Sequence, residues 1–192
     1  MKLAMIRHGM TDALEKHLYY GATDISLNEK GTEELVRFRE EGVYAPFKDF
    51  RIYTSGMIRT EQTLELILGK VDHVIEPRFR EMDFGIFELK SYEDLKDRDD
   101  YQYWLSDIDN IPCPGGGESA GDFGRRVLEA ADEIIAKGED SLFVIHGGVI
   151  SKIMQRFFPG RIVNYYEWTP DSGKGYIVTI GGADNISWKS IE

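Results

Sequence analysis

The stretch Leu3-Ala4-Met5-Ile6-Arg7-His8-Gly9-Met10-Thr11 decides the architecture of this chain. Leu3 to Ile6 form a short apolar run whose evident place is a core strand. It ends in a fixed cation, an imidazole and a glycine, a combination suited to the end of a buried strand where something anionic binds. The plan recurs at Leu142-Phe143-Val144-Ile145-His146-Gly147-Gly148. In an open α/β sheet the carboxyl rim of the strands is where ligands bind. A phosphate-transfer site built around His8 is therefore expected.

The pattern between these two stretches predicts alternating strands and helices. Asn28 is suited to cap a helix reaching Glu41, with Leu35 and Phe38 inward and Gly42 as its stop. Ile52 and Tyr53 read as a strand, and Ser55 as the cap of a helix over 57–68 closed by Gly69. Val71 to Ile75 read as another strand, which Pro77 ends. The helix after Ser119 carries Phe123, Val127, Ile134 and Ile135 at helical spacing. The 142–145 strand leads through the His146 turn into a helix to about Phe158, and 176–180 with 186–188 predict an edge hairpin. Such alternation implies three layers, α/β/α, around a mainly parallel central sheet. Residues 10–27 look irregular. Residues 84–118 break the alternation: they are acidic and aromatic, with a helix expected over 91–104, and read as an inserted lid lying over the strand rim.

With 192 residues, 42% of them hydrophobic, the chain fits a single domain with a real core. The net charge of −11 argues against nucleic acid and against an anionic membrane surface. The one cysteine, Cys113, excludes an internal disulfide and a multi-Cys zinc site. The four-residue apolar run before Arg7 falls far short of a signal or spanning segment, so the expected location is cytoplasmic. The four histidines lack a metal-protease type of spacing, and neither His17 nor His73 is expected to act in the site. The 115–117 glycine run follows no strand and lacks a GK[ST] ending, so it reads as a turn.

Phosphoryl transfer has to overcome repulsion between a dianion and a nucleophile, and to protonate a poor leaving group. Arginine meets the first need because its fork pairs bidentately with phosphate oxygens and stays charged. Arg7 adjoins His8. Arg59 lies in the first turn of the 57–68 helix, where the dipole disfavours a cation unless an anion binds there too. A neutral imidazole with one nitrogen fixed as donor presents a lone pair on the other, which suits His8 to nucleophilic attack. A carboxylic acid meets the second need. Within Arg80-Glu81-Met82-Asp83-Phe84-Gly85, Glu81 is the choice and Asp83 its competitor.

Five blocks, in order, resemble the histidine phosphatase (phosphoglycerate mutase-like) superfamily. They are Arg7-His8-Gly9-Met10-Thr11; Tyr20-Gly21-Ala22-Thr23-Asp24; Ser55 to Thr63; Arg80 to Gly85 with Pro114 to Ser119; and Val144 to Gly148. The Phe84-Gly85-Ile86-Phe87-Glu88 block is closest to the α-ribazole phosphatase-like branch. The resemblance implies a phosphoglycerate mutase-like fold and a phosphohistidine intermediate. It makes His8 the nucleophile, Glu81 the proton donor, and Arg7, Arg59 and His146 the phosphate pocket, in which His146 is expected to be charged. Tyr20, Gly21 and Gly147 fall where substrate is often contacted. It implies no cofactor and no metal. Three positions depart from the pattern: Leu14 stands where many members carry an asparagine near the phosphate, Gly56 replaces a frequent proline and should loosen that helix start, and Gly117 lengthens the Pro-Gly-Gly-Glu-Ser turn.

The activity implied is hydrolysis of small-molecule phosphate esters, with α-ribazole 5'-phosphate or a broader set as substrates. Cations near Glu81 favour its ionised form, so it is expected to carry a proton chiefly when a bound dianion offsets them. Two alternatives are a cofactor-dependent phosphoglycerate mutase and a non-catalytic phosphate-binding regulatory module. Residues 91–110 offer only Lys96 and Arg98 among many acids to hold a substrate carboxylate. A module that merely bound phosphate would need the arginines but not a nucleophile with an acid.

Overall fold

A computed structural model describes residues 1–161, 165–182 and 185–192. Its centre is a six-stranded sheet in the order β3-β2-β4-β1-β5-β6. The strands are β1 (Lys2–Arg7), β2 (Arg51–Thr54), β3 (Val74–Ile75), β4 (Ser141–Ile145), β5 (Gly175–Ile180) and β6 (Ile186–Ile191). β1, β2, β3 and β4 are mutually parallel, while β5 runs antiparallel to β1 and β6 antiparallel to β5. The sheet is thus mixed, with its parallel half carrying the rim. The hairpin stands at the sheet edge as expected; residues 183 and 184 of its connection lie outside the described residues.

The helices are α1 (Asp12–Glu15), α2 (Glu29–Glu40), α3 (Ile58–Leu68), α4 (Tyr92–Leu95), α5 (Asp99–Ser106), α6 (Ala120–Ile135) and α7 (Gly147–Phe157). Alternate residues of a strand face opposite sides, and both sides are apolar here. Ala4, Ile6, Leu142 and Val144 pack with Leu35 and Phe38 of α2 and Leu64 and Ile67 of α3. Leu3, Met5, Phe143 and Ile145 pack with Phe123, Val127 and Ile134 of α6 and Val149, Ile150 and Ile153 of α7. A strand such as β4, buried along its whole length, must be covered on both faces, which is why the fold has three layers.

Local signals set most helix ends. The Asn28 side chain accepts the Gly31 N–H at 2.9 Å at the start of α2, and Gly42 beyond its end has φ +81°. Ser55 does not act as the expected cap. Met57 holds the N-cap position of α3 without a side-chain bond, and Asp24 Oδ1 accepts the Ile58 N–H at 2.8 Å. Nor does Gly56 merely loosen that start. It has φ +74°, and a Cβ there would run into Ile75, so the backbone requires glycine. The expected 71–75 strand shrinks to Val74–Ile75, and a short α1 appears within the stretch read as irregular.

The expected 91–104 helix is two helices. Ser91 and Asp94 close a capping box on α4, and the chain restarts at α5 after Arg98, whose backbone is extended. Segment 84–118 packs against residues 18–20: Tyr19 N–H donates to the Lys90 carbonyl at 2.9 Å and Leu89 N–H to the Tyr19 carbonyl at 2.7 Å. Phe87, Tyr101 and Trp104 of this segment are buried, and the Tyr19 ring lies 5.2 Å from that of Phe84. Among the described residues, no helix is long and apolar enough to cross a membrane.

Candidate active site

Register brings the two His-Gly pairs together. Arg7 of β1 lies opposite Ile145 of β4, and Thr54 of β2 opposite Val144, so His8, His146 and Ser55 leave the sheet at one rim. The His8 N–H donates to the Ile145 carbonyl at 2.9 Å, and the two imidazoles meet edge to face with centroids 5.2 Å apart. His8 is 3% exposed, His146 1% and Arg59 0%.

Hydrogen bonds fix the state of each ring. His8 Nδ1 lies 2.7 Å from the Gly9 carbonyl oxygen, which can only accept, so Nδ1 carries the proton. Burial, Arg59 and Arg7 hold His8 well below the usual histidine value. Its Nε2 therefore presents a lone pair, with the Tyr20 hydroxyl 3.5 Å away. Thr11 Oγ1 donates to that hydroxyl at 3.0 Å, so the Tyr20 proton is not committed to Thr11. In the neighbouring ring, Arg59 Nε donates to His146 Nδ1 at 3.3 Å, and His146 Nε2 donates to Ser55 Oγ at 2.8 Å. A nitrogen that accepts from a guanidinium carries no proton of its own. Burial and Arg59 also push the His146 pKa well below the ordinary value. The charged His146 expected from sequence is thus corrected to a neutral ring, and Ser55 is the residue that orients it.

These shifts have a consequence for stability. Both rings resist protonation in the folded chain, whereas unfolded histidines take up protons near about pH 6.5. Below that value the unfolded chain binds more protons, so stability falls with pH by up to about 1.4 kcal/mol per pH unit for each ring. Thermal melts between about pH 7.5 and about pH 5 should show a shallower loss of Tm in a His8→Gln variant than in the parent. Equal slopes would contradict a neutral, buried His8.

The cations are held by backbone carbonyls rather than by acids. Arg59 donates through Nη2 to the Gly21 carbonyl at 2.9 Å and through Nη1 to the Thr23 carbonyl at 3.0 Å, and its guanidinium stands 5.0 Å from the Tyr20 ring centroid. Arg7 donates through Nη1 to the Pro170 carbonyl at 2.9 Å, and its buried Nε has no hydrogen-bond partner among the described residues. Burial lowers both arginines from the ordinary guanidinium value, with Tyr20 and Glu81 acting in the opposite sense. Buried cations held by neutral carbonyls retain charge for an incoming anion. The Tyr20 hydroxyl is pushed up by burial and stays protonated.

Glu81 accepts the Gly148 N–H on Oε2 at 2.8 Å and the Met82 N–H on Oε1 at 3.0 Å. It therefore sits at the first turn of α7, where the helix dipole favours a carboxylate. A Cβ at Gly148 would strike this carboxylate, and one at Gly21 would strike the Met82 carbonyl. Asp83 instead turns away, accepting the Gly85 N–H at 2.8 Å. The Glu81 loop is braced by Arg126, which donates to the carbonyls of Arg78 and Arg80 at 2.7 Å and of Glu81 at 3.1 Å while pairing with Glu118 at 2.6 Å. The sequence assigns no site role to Arg126, Glu118 or Glu88 and none beyond a helix cap to Ser55, because the partners that define those roles are far away in the chain. His17 and His73 lie outside the site: His73 pairs with Glu61 at 2.8 Å. Among the described residues no group of three or more His, Cys, Asp or Glu side chains is disposed to hold a metal.

The family model of the Histidine phosphatase superfamily (branch 1) matches residues 3–186. The adenosylcobalamin/alpha-ribazole phosphatase of Salmonella typhimurium is 30% identical over 180 residues, covering 90% of this chain and 87% of that protein. A 2,3-bisphosphoglycerate-dependent phosphoglycerate mutase of Parvibaculum lavamentivorans is 28% identical over 167 residues, covering 80% of this chain and 78% of the mutase. The crystal structure of the alpha-ribazole phosphatase from Shigella flexneri superposes with a TM-score of 0.81 at 26% identity, covering 94% of this chain and 91% of that one.

Proposed function

The chain belongs to the histidine phosphatase superfamily and is a phosphomonoesterase of that superfamily; on that premise we propose that it hydrolyses small-molecule phosphate esters through a phosphohistidine at His8. One observation supports this reading above the rest: the His8 Nε2 lone pair is set, unprotonated, among Arg7, Arg59 and the Tyr20 hydroxyl. In the first step Nε2 attacks phosphorus in line, the bond to the ester oxygen breaks, and the Glu81 carboxyl gives that oxygen its proton. In the second, water attacks phosphorus, its proton passes to Glu81, and the N–P bond breaks. Arg7 and Arg59 hold the equatorial oxygens, where charge accumulates. The neutral His146 keeps Arg59 Nε engaged, so its part in the pocket is to orient that guanidinium as well as to line the site. Tyr20 donates to a phosphate oxygen, standing in for the asparagine that Leu14 replaces, while Gly21 and Gly147 let the backbone approach closely.

Residues 1–192 act in this reading as one catalytic domain in the cytoplasm, with 84–118 covering the rim. The preferred substrate is an ester with a bulky, uncharged leaving group, of which α-ribazole 5'-phosphate is the candidate drawn from the relatives. The likeness to the alpha-ribazole phosphatases of Salmonella typhimurium and Shigella flexneri supports it. Mutase activity is disfavoured because 91–110 carries two cations, Lys96 and Arg98, among many acids to hold a substrate carboxylate. A panel of α-ribazole 5'-phosphate, phosphoserine, 3-phosphoglycerate and p-nitrophenyl phosphate, assayed with EDTA, tests this. The highest kcat/KM is expected on α-ribazole 5'-phosphate, without isomerisation of phosphoglycerate. Isomerisation that depends on bisphosphoglycerate would favour the mutase, and failure to turn over any ester would favour the binding module.

A further inference from the structure

We infer that Glu88 is a positioning residue for Arg59, linking the 84–118 segment to the phosphate nest through the backbone of residues 21–23. The inference rests on the reading of Arg59 as a phosphoryl-binding group and adds a residue to which neither composition nor family likeness gives a role.

The Glu88 carboxylate is saturated with donors. Its Oε1 accepts the N–H groups of Gly21 at 2.8 Å, Ala22 at 3.0 Å and Phe84 at 3.1 Å. Its Oε2 accepts the Thr23 N–H at 3.1 Å and the Thr23 hydroxyl at 2.5 Å. The carbonyls of that same loop, at Gly21 and Thr23, receive Arg59 Nη2 and Nη1. A peptide unit is planar and trans, so its N–H and C=O point in opposite directions. Tying the Ala22 N–H to Glu88 therefore aims the Gly21 carbonyl away from Glu88 and towards Arg59. Asp24, the next residue, accepts the Ile58 N–H at 2.8 Å and fastens the loop to the start of α3, the helix that carries Arg59.

The guanidinium thus has its orientation set from two sides, by His146 on Nε and by a loop that Glu88 holds. Losing the second hold would leave Arg59 charged and buried but free to tilt. Misplacement of a phosphate-binding group by about 1 Å costs roughly 100-fold in rate. Glutamine is a poor substitute here, because its amide would turn N–H donors towards backbone N–H donors.

A double-mutant cycle separates positioning from general bracing. We expect Glu88→Gln to lower kcat/KM on p-nitrophenyl phosphate by about 10- to 100-fold and to weaken inhibition by inorganic phosphate. In an Arg59→Gln background the same change should cost no more than about threefold, since groups that act through one another are not additive. Losses that multiply, or a parental rate in Glu88→Gln alone, overturn this inference and leave the function standing. A parental rate in Arg59→Gln alone overturns both. Should Glu88→Gln fail to fold by circular dichroism, Thr23→Val decides, because it removes a single side-chain bond to Glu88. A loss of about threefold or more that vanishes in the Arg59→Gln background supports positioning, and a parental rate overturns it.

Discussion

Replacing His8 with alanine is expected to lower kcat on p-nitrophenyl phosphate by on the order of 10⁴-fold or more, the scale on which loss of a covalent nucleophile is felt. Affinity should change far less. Arg7 and Arg59 are anchored by the carbonyls of Pro170, Gly21 and Thr23, none of which depends on the His8 ring. Inhibition by inorganic phosphate should therefore stay within about tenfold of the parent, because the binding interactions are kept while the one made only along the reaction path is lost. The variant should remain folded, since it removes a buried ring that makes one backbone hydrogen bond. Steady-state kinetics with circular dichroism check this. A rate within about tenfold of the parent would remove His8 from the chemistry, and a parallel collapse of phosphate affinity would recast it as a binding group.

Glu81→Gln should divide substrates by leaving group. General acid catalysis typically contributes about 10²- to 10⁴-fold, and it matters most where the departing oxygen is most basic. Alkyl phosphates should lose activity on that scale, whereas p-nitrophenyl phosphate, whose phenolate leaves readily, should lose little in the first step. The glutamine keeps one oxygen for the Gly148 or Met82 N–H, both of which Glu81 now accepts. Some disturbance common to all substrates is therefore expected. The ratio of the two losses is the diagnostic quantity because that common part cancels. An equal loss of kcat/KM on alkyl and aryl esters, which reports the first step and not the hydrolysis common to both, would deny Glu81 the proton-donor role and turn attention to Tyr20 as the remaining buried donor beside Nε2.

How much of this was legible beforehand follows from the range of the interactions. β1 and β4 are continuous apolar runs ending in His-Gly, so strand, rim and site could be read from adjacent residues. Asn28 capping α2 is equally local, with donor and acceptor three residues apart. The part Ser55 plays in the site is not local: besides the Met57 N–H and the Thr60 hydroxyl at the start of α3, its hydroxyl bonds His146, 91 positions away. The charge on His146 was misjudged for the same reason: only the fold shows that Arg59 donates to Nδ1. Glu88 lies 65 to 67 positions from the loop it holds, and no pattern of spacing announces such a bond. The break in the expected 91–104 helix did have a local sign, since Asp99 and Asp100 are residues suited to a new first turn.

The most direct test is to mix the enzyme with an ester carrying a labelled phosphoryl group, quench within a turnover into alkali, where a phosphorus–nitrogen bond survives, and map the label. We expect it on the His8 side chain, forming and decaying as fast as turnover, and none on His146, whose two nitrogens are engaged by Arg59 and Ser55. Turnover with no label on His8 at any quench time, or label on another residue, would contradict the phosphohistidine route.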